Sequence, residues 1–231
     1  QNAILQPMPA PFVYAPFILS NNVYQPQLQV SWAPLLGIAV SNYQVYVDGA
    51  VTNMGTTTSN NWTMTAANGL SPNSPHSFQV NYITTNGRSP ALSPSANGKT
   101  WSGQSWGGVP FEWMQDYYGN LNVIFGPNGV SYNWPDPSVL LESGGLTLLQ
   151  VFLSGGNPTD SSTWLRTALT PTAQGFFLNW NPQPGFTYQV QTTASLGLWQ
   201  NLGAPRFAAG TNDSIFVGSS SAGFYRVQLL R

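Results

Sequence analysis

Residue types that do chemistry are scarce in this 231-residue chain, which has one histidine, no cysteine, seven Asp and Glu and six Lys and Arg. Gly103-Gln-Ser-Trp-Gly107 matches the G-x-S-x-G pattern, in which a serine on a sharp strand-to-helix turn is activated by an acid and a histidine placed later in the chain. Here the sole histidine, His76, comes first, and residues 102–108 read as a Gly/Ser linker, so the nucleophile reading fails. Glu112 and Asp116 stand four apart, a spacing that puts two carboxylates on one helix face. No further carboxylate cluster accompanies them, and a solvated helix face accounts for the pair. The expectation is that the chain is not an enzyme, with no catalytic, cofactor-binding or metal-binding residues and no cofactor.

Composition narrows the partners. Charged residues make up 6% of the chain and the net charge is −1, so Asn, Gln, Ser, Thr and Gly must make most of the surface. Such a surface lacks the repulsion that keeps proteins apart, and self-association is expected. Six scattered Lys and Arg offer no basic stripe for phosphates, which excludes nucleic acid as a partner. No apolar run approaches a membrane span. The chain starts at Gln1 rather than Met, read here as removal of a secretion signal, so an extracellular or cell-surface location is expected.

The elements that must hold these residues are mainly β. The expected fold class is two small antiparallel β-sandwich modules joined by a short helical hinge, with an extended N-terminal arm. The expected domains are 1–27, 28–101, 102–163 and 164–231. In the hinge, residues 146–153 lie between glycine pairs and before Pro158, which predicts a two-turn helix. Leu146, Leu149, Phe152 and Leu153 fit one stripe, whereas Leu148 and Val151 fall off it, so the helix must be covered on more than one side. In the arm, five prolines separate Ile4, Leu5, Phe12, Val13, Phe17, Ile18 and Leu19, which predicts an extended apolar segment that must pack on something. It lies either along its own domain or on a neighbouring subunit.

Residues 28–101 resemble a fibronectin type III domain. Leu28-Gln-Val-Ser-Trp32, Tyr43-Gln-Val-Tyr-Val47, Trp62-Thr-Met-Thr65 and Phe78-Gln-Val-Asn-Tyr82 alternate as strands. His76 stands where that family's tyrosine corner places Tyr, which implies a hydrogen-bonding corner residue. Residues 108–119 and 145–160 resemble the linker of secreted planctomycete and verrucomicrobial multidomain proteins, similar to dockerin and thrombospondin type 3 calcium repeats. That resemblance implies a calcium loop, but a loop needs several alternating oxygen ligands ending in a bidentate carboxylate. The chain offers Asp136, Glu142 and Ser143, with Val151 where the family has Glu, so calcium is expected to be lost. Residues 164–231 resemble the C-terminal β module of the same proteins. Trp199, Tyr225 and Phe207 are candidates for a sugar site there, although aromatics in strands more often form core.

The sequence alone therefore favours a non-enzymatic extracellular structural protein that self-assembles as a fibre or surface-layer subunit. The assembly residues expected are Ile4, Leu5, Phe12, Val13, Phe17, Ile18, Leu19, Leu148 and Val151. The alternative is a carbohydrate-binding or adhesive accessory module, with polysaccharide as partner.

Overall fold

Strand alternation builds the first core. In the computed structural model, which describes residues 5–126, 129–141, 145–195, 197–218 and 223–230, β1 (Phe12–Tyr14), β4 (Gln27–Ser31) and β7 (Asn61–Thr65) form a three-stranded antiparallel sheet. Facing it is a four-stranded sheet in the order β6 (Gly55–Thr57), β5 (Val40–Val47), β8 (Pro75–Thr84), β9 (Ala96–Lys99). Alternate residues turn inward, so Leu28, Val30 and Trp32 meet Tyr43, Val45, Val47, Phe78, Val80 and Tyr82 in one buried cluster. Three strands packed on four is the fibronectin type III-like sandwich that the resemblance of residues 28–101 implied.

The N-terminal segment belongs to this sandwich, which corrects the reading of residues 1–27 as an arm reaching outward. Val13 pairs with Val30 across β1 and β4, and Leu5 and Val13 pack against the core while Met8 is 2% exposed within it. The Tyr82 hydroxyl donates to the Gln6 carbonyl at 3.2 Å, and the Trp101 indole N–H donates to the Ala15 carbonyl at 2.8 Å. A small hairpin of β2 (Leu19–Ser20) and β3 (Val23–Tyr24) follows, with Phe17 stacked on Tyr24 at 5.0 Å between centroids. Phe12 and Phe17 are half-buried, whereas Ile18 and Leu19 are exposed. Ile4 lies outside the described residues. Prolines keep this segment extended, and Leu5, Met8 and Val13 pack into the sandwich of their own chain while Ile18 and Leu19 stay exposed.

Beyond the sandwich, the ribbon of β10 (Ser105–Trp106) and β11 (Val109–Pro110) leads into α1 (Phe111–Tyr118). The chain divides into two units, Gln1–Asp116 and Tyr117–Arg231.

The second unit opens with the ribbon of β12 (Val123–Gly126) and β13 (Gly129–Tyr132). Helix α2 (Leu148–Leu153) starts at a reciprocal cap, in which the Thr147 hydroxyl accepts from the Gln150 amide while the Gln150 side chain accepts from the Thr147 amide. It stops at Gly155, whose φ of 75° few other residues adopt and whose N–H bonds back to Phe152. The buried face is Leu148, Val151 and Phe152. Leu148 and Val151, off the expected stripe, are buried together with Phe152 on it, while Leu146, Leu149 and Leu153 are half-buried, so the helix is covered on more than one side. This burial corrects Leu148 and Val151 as assembly residues, since both are 0% exposed.

A three-stranded and a four-stranded layer then form the second sandwich. One is β14 (Thr167–Thr172), β15 (Gly175–Trp180) and β19 (Asp213–Gly218). The other centres on β16 (Thr187–Thr193), which pairs with β17 (Gln200–Asn201), β18 (Arg206–Phe207) and β20 (Phe224–Leu230). Leu178, Trp180 and Val190 form its core, with Ile215, Val217, Tyr225 and Val227 around them. No helix among the described residues is long and apolar enough to cross a membrane.

Candidate functional site

The residues that sequence reasoning set aside as chemistry are held apart or engaged. Ser105 sits in the β10–β11 ribbon opposite Pro110, without a helix directly following. His76 Nδ1 lies 2.7 Å from Asp48 Oδ2, and Asp48 Oδ1 accepts the Ser77 amide at 2.8 Å. The histidine is a hydrogen-bonding corner residue, as expected, but its partner is a side chain in the turn after β5 rather than upstream backbone. Glu112 Oε1 accepts the Ser102 amide at 2.7 Å while Asp116 is exposed, so the two carboxylates do not share one environment. Asp136 accepts from both the amide and the hydroxyl of Ser138, closing a turn on itself. Those bonds lower its pKa. Glu142 and Ser143 lie outside the described residues, and among those described no three His, Asp or Glu groups stand together to hold a metal.

A concavity lies on the second module, where β18 and β19 bring an arginine and an aspartate together. Arg206 forms a fork with Asp213, Nε to Oδ2 at 2.8 Å and Nη2 to Oδ1 at 2.5 Å. Nη2 also donates to the Ser214 carbonyl at 3.3 Å, and Asp213 Oδ1 accepts the Ser214 amide at 2.7 Å. The hydrogen bonds it donates to Asp213 raise the Arg206 pKa, which keeps the guanidinium charged. The guanidinium carbon stands 5.7 Å from the Trp180 ring centroid, a cation–π contact. Beneath it, the Trp180 indole N–H is buried without an acceptor among the described residues.

This pair walls a cleft of ≈390 Å³ together with Phe207, Ala208, Gly210 and Asn212. A second chamber of ≈200 Å³ shares Asn212 and Asp213 and extends to Asn179, Trp180 and Ser214. The larger falls within the range of small-ligand sites. Its lining has no net charge, because the cation and the carboxylate cancel. Guanidinium donors, carboxylate acceptors and amides that do both suit a ligand carrying several hydroxyls, and a phosphate would meet the Asp213 carboxylate. None of the residues lining the larger cleft is a nucleophile with a base beside it.

A second polar array lies on the outer face of the β16 layer. Gln191 pairs with Arg226 on one side and Asn201 on the other. Arg226 Nε donates to Gln191 Oε1 at 2.8 Å, and Gln191 Nε2 donates to Asn201 Oδ1 at 2.8 Å. The Arg226 guanidinium stacks 4.3 Å from the Trp199 ring centroid.

Of the three aromatics expected near a sugar site, Phe207 lines the cleft and Trp199 holds this array, whereas Tyr225 faces the core and donates its hydroxyl to the Val217 carbonyl at 3.2 Å. Sequence reasoning missed Arg206, Asp213 and Arg226. The signal open to it was a charged residue at the start of β18 and of β19 and within β20, in a module that has few charges.

No protein-family model matches the chain, and no curated protein sequence does. Among solved structures, similarity extends to the sixth fibronectin type III domain of the human fibronectin type III domain containing protein 3, at 16% identity and a TM-score of 0.35, covering 46% of this chain and 93% of that one. It extends also to the crystal structure of FN3tt, at 19% identity and a TM-score of 0.31, covering 42% and 99%. Such scores carry no functional argument.

Proposed function

We propose that the chain is a non-catalytic, extracellular accessory protein that binds a saccharide through its second module. The observation that carries this reading is the Arg206–Asp213 pair walling a cleft of ≈390 Å³, a neutral, hydroxyl-matched lining beside an indole. Self-assembly through the N-terminal segment and α2 is not retained, because Val13, Leu148 and Val151 spend their apolar surface inside the chain. Extracellular placement is carried over from the expectation, drawn from the sequence of residues 108–119, 145–160 and 164–231, of a resemblance to secreted multidomain proteins, and no family model adds to it.

Calorimetric titration with a panel of neutral mono- and disaccharides tests the reading. At least one sugar is expected to bind with a Kd in the weak, millimolar-to-micromolar range, about −4 to −8 kcal/mol. Asp213→Asn should weaken it roughly tenfold by breaking the fork, while Asp116→Asn on the first unit should leave it unchanged. No heat from any sugar, or equal affinity in the Asp213→Asn protein, counts against the cleft.

A further inference from the structure

We propose that Arg226 is a pre-organised carboxylate receptor, and that the carboxylate it takes belongs to a uronic-acid-bearing polysaccharide. The inference rests on the saccharide-binding reading above and adds the charge class of the ligand. A surface arginine is ordinarily a floppy chain, whose ordering cost removes most of what an ion pair gains. Arg226 is not in that state. The Trp199 ring fixes the plane of the guanidinium through the 4.3 Å stack, and the Nε–H bond to Gln191 fixes its rotation within that plane. Gln191 is oriented in turn by its bond to Asn201. The three side chains lie on directly paired positions of β20, β16 and β17, so the row crosses two strand spacings, about 10 Å.

What this leaves unused points to the ligand. A guanidinium carries five N–H donors, and the array engages Nε alone. The Nη groups have no protein acceptor among the described residues, and no carboxylate there pairs with Arg226. Arg206 of the same module is by contrast neutralised by Asp213. A planar cation held rigid and left uncompensated, on a chain of net charge −1, matches a two-oxygen anion that can engage two parallel N–H groups. The neighbours select what carries that anion. Gln191 stands beside the guanidinium with Asn201 beyond it in the row, and Gln228 lies two positions along β20 on the same exposed face. Amides on adjacent strands complement hydroxyls, as the groups beside the carboxylate of a sugar acid require. An acidic peptide would present backbone and apolar side chains there instead.

The test compares the Kd of the full chain for polygalacturonate, for the same polymer after its carboxyl groups are reduced to alcohols, and for polyglutamate, at low ionic strength. Wild type is expected to bind polygalacturonate roughly tenfold more tightly than the reduced polymer and than polyglutamate. R226Q should erase that preference at an unchanged melting temperature while still binding the reduced polymer. R226K should lose most of it, because an ammonium keeps the charge without the fork or the stack. Equal Kd for the charged and reduced polymers, or a preference that survives in R226Q, overturns the proposal and leaves saccharide binding standing. Polyglutamate bound as tightly as polygalacturonate overturns the assignment to a polysaccharide. If neither sugar polymer binds, the underlying saccharide reading falls as well.

Discussion

Gly98 on β9 has no side chain because Val13 on β1 occupies that place. A β-carbon built at Gly98 would overlap Val13 Cγ1 and come within 3.3 Å of Leu28 Cδ2. Glycine inside a strand costs conformational entropy, roughly 0.5–1 kcal/mol relative to alanine, and here the cost is offset by the close packing of the N-terminal strand. Gly98→Val should therefore destabilise the protein by about 1–3 kcal/mol despite the better strand propensity of valine. Urea unfolding followed by tryptophan fluorescence measures this, and a stabilised variant would show that the two strands are not packed so closely.

Removal of residues 1–24 should abolish cooperative folding of the first module rather than release a monomer from an assembly. The truncation takes away β1 and the core residue Met8, which is 2% exposed. Met8→Ala alone should cost about 2–5 kcal/mol. Light scattering and thermal melts on both proteins separate the outcomes, and a truncated chain that melts as the full one does would restore the detached-arm picture.

Acid should weaken the turn after β5. Burial raises the Asp48 pKa, but the hydrogen bonds from the Ser77 amide and His76 outweigh it and leave the carboxyl below its usual value. A depressed folded pKa contributes stability that is present above the unfolded aspartate value, about 4, and is lost as pH falls through the folded one. The melting temperature should thus drop between pH 5 and pH 3 (about the range spanning that value), and less so in Asp48→Asn. Asparagine also tolerates the φ of 53° at this position. An identical acid response in both proteins would remove Asp48 as a contributor.

Helix α2 should respond as a core element. Thr147→Ala deletes the reciprocal cap with Gln150 and should cost about 0.5–2 kcal/mol. Leu148→Ala empties a fully buried position and should cost about 2–5 kcal/mol. Both should leave the sedimentation behaviour unaltered, and a change in association at constant stability would return the helix to an interface role.

Sequence by itself determined the class of this protein and much of its strand plan. Period-two alternation in Leu28-Gln-Val-Ser-Trp32 and Phe176-Phe-Leu-Asn-Trp180 reports which side of a sheet is dry, because successive side chains must point to opposite faces. The glycine pairs on either side of residues 146–153, with Pro158 beyond, marked a helix, because helix ends are set by local backbone geometry. Burial of that helix was not local. The inward direction of Leu148 and Val151 depends on what covers them, and an apolar helix fits several rotations equally well from its own sequence. Strand β14 escaped notice for a related reason, since Thr-Ala-Leu-Thr-Pro-Thr is exposed throughout and is a strand only through its edge pairing with β15. Tertiary structure alone decided that the N-terminal segment packs within its own chain, because extended apolar residues fit any open edge and only the fold shows which edge is open. It alone also placed Arg206 against Asp213 and Arg226 against Trp199, pairings seven and twenty-seven positions apart (213 − 206 and 226 − 199) that follow from register across the sheets and not from spacing in the chain.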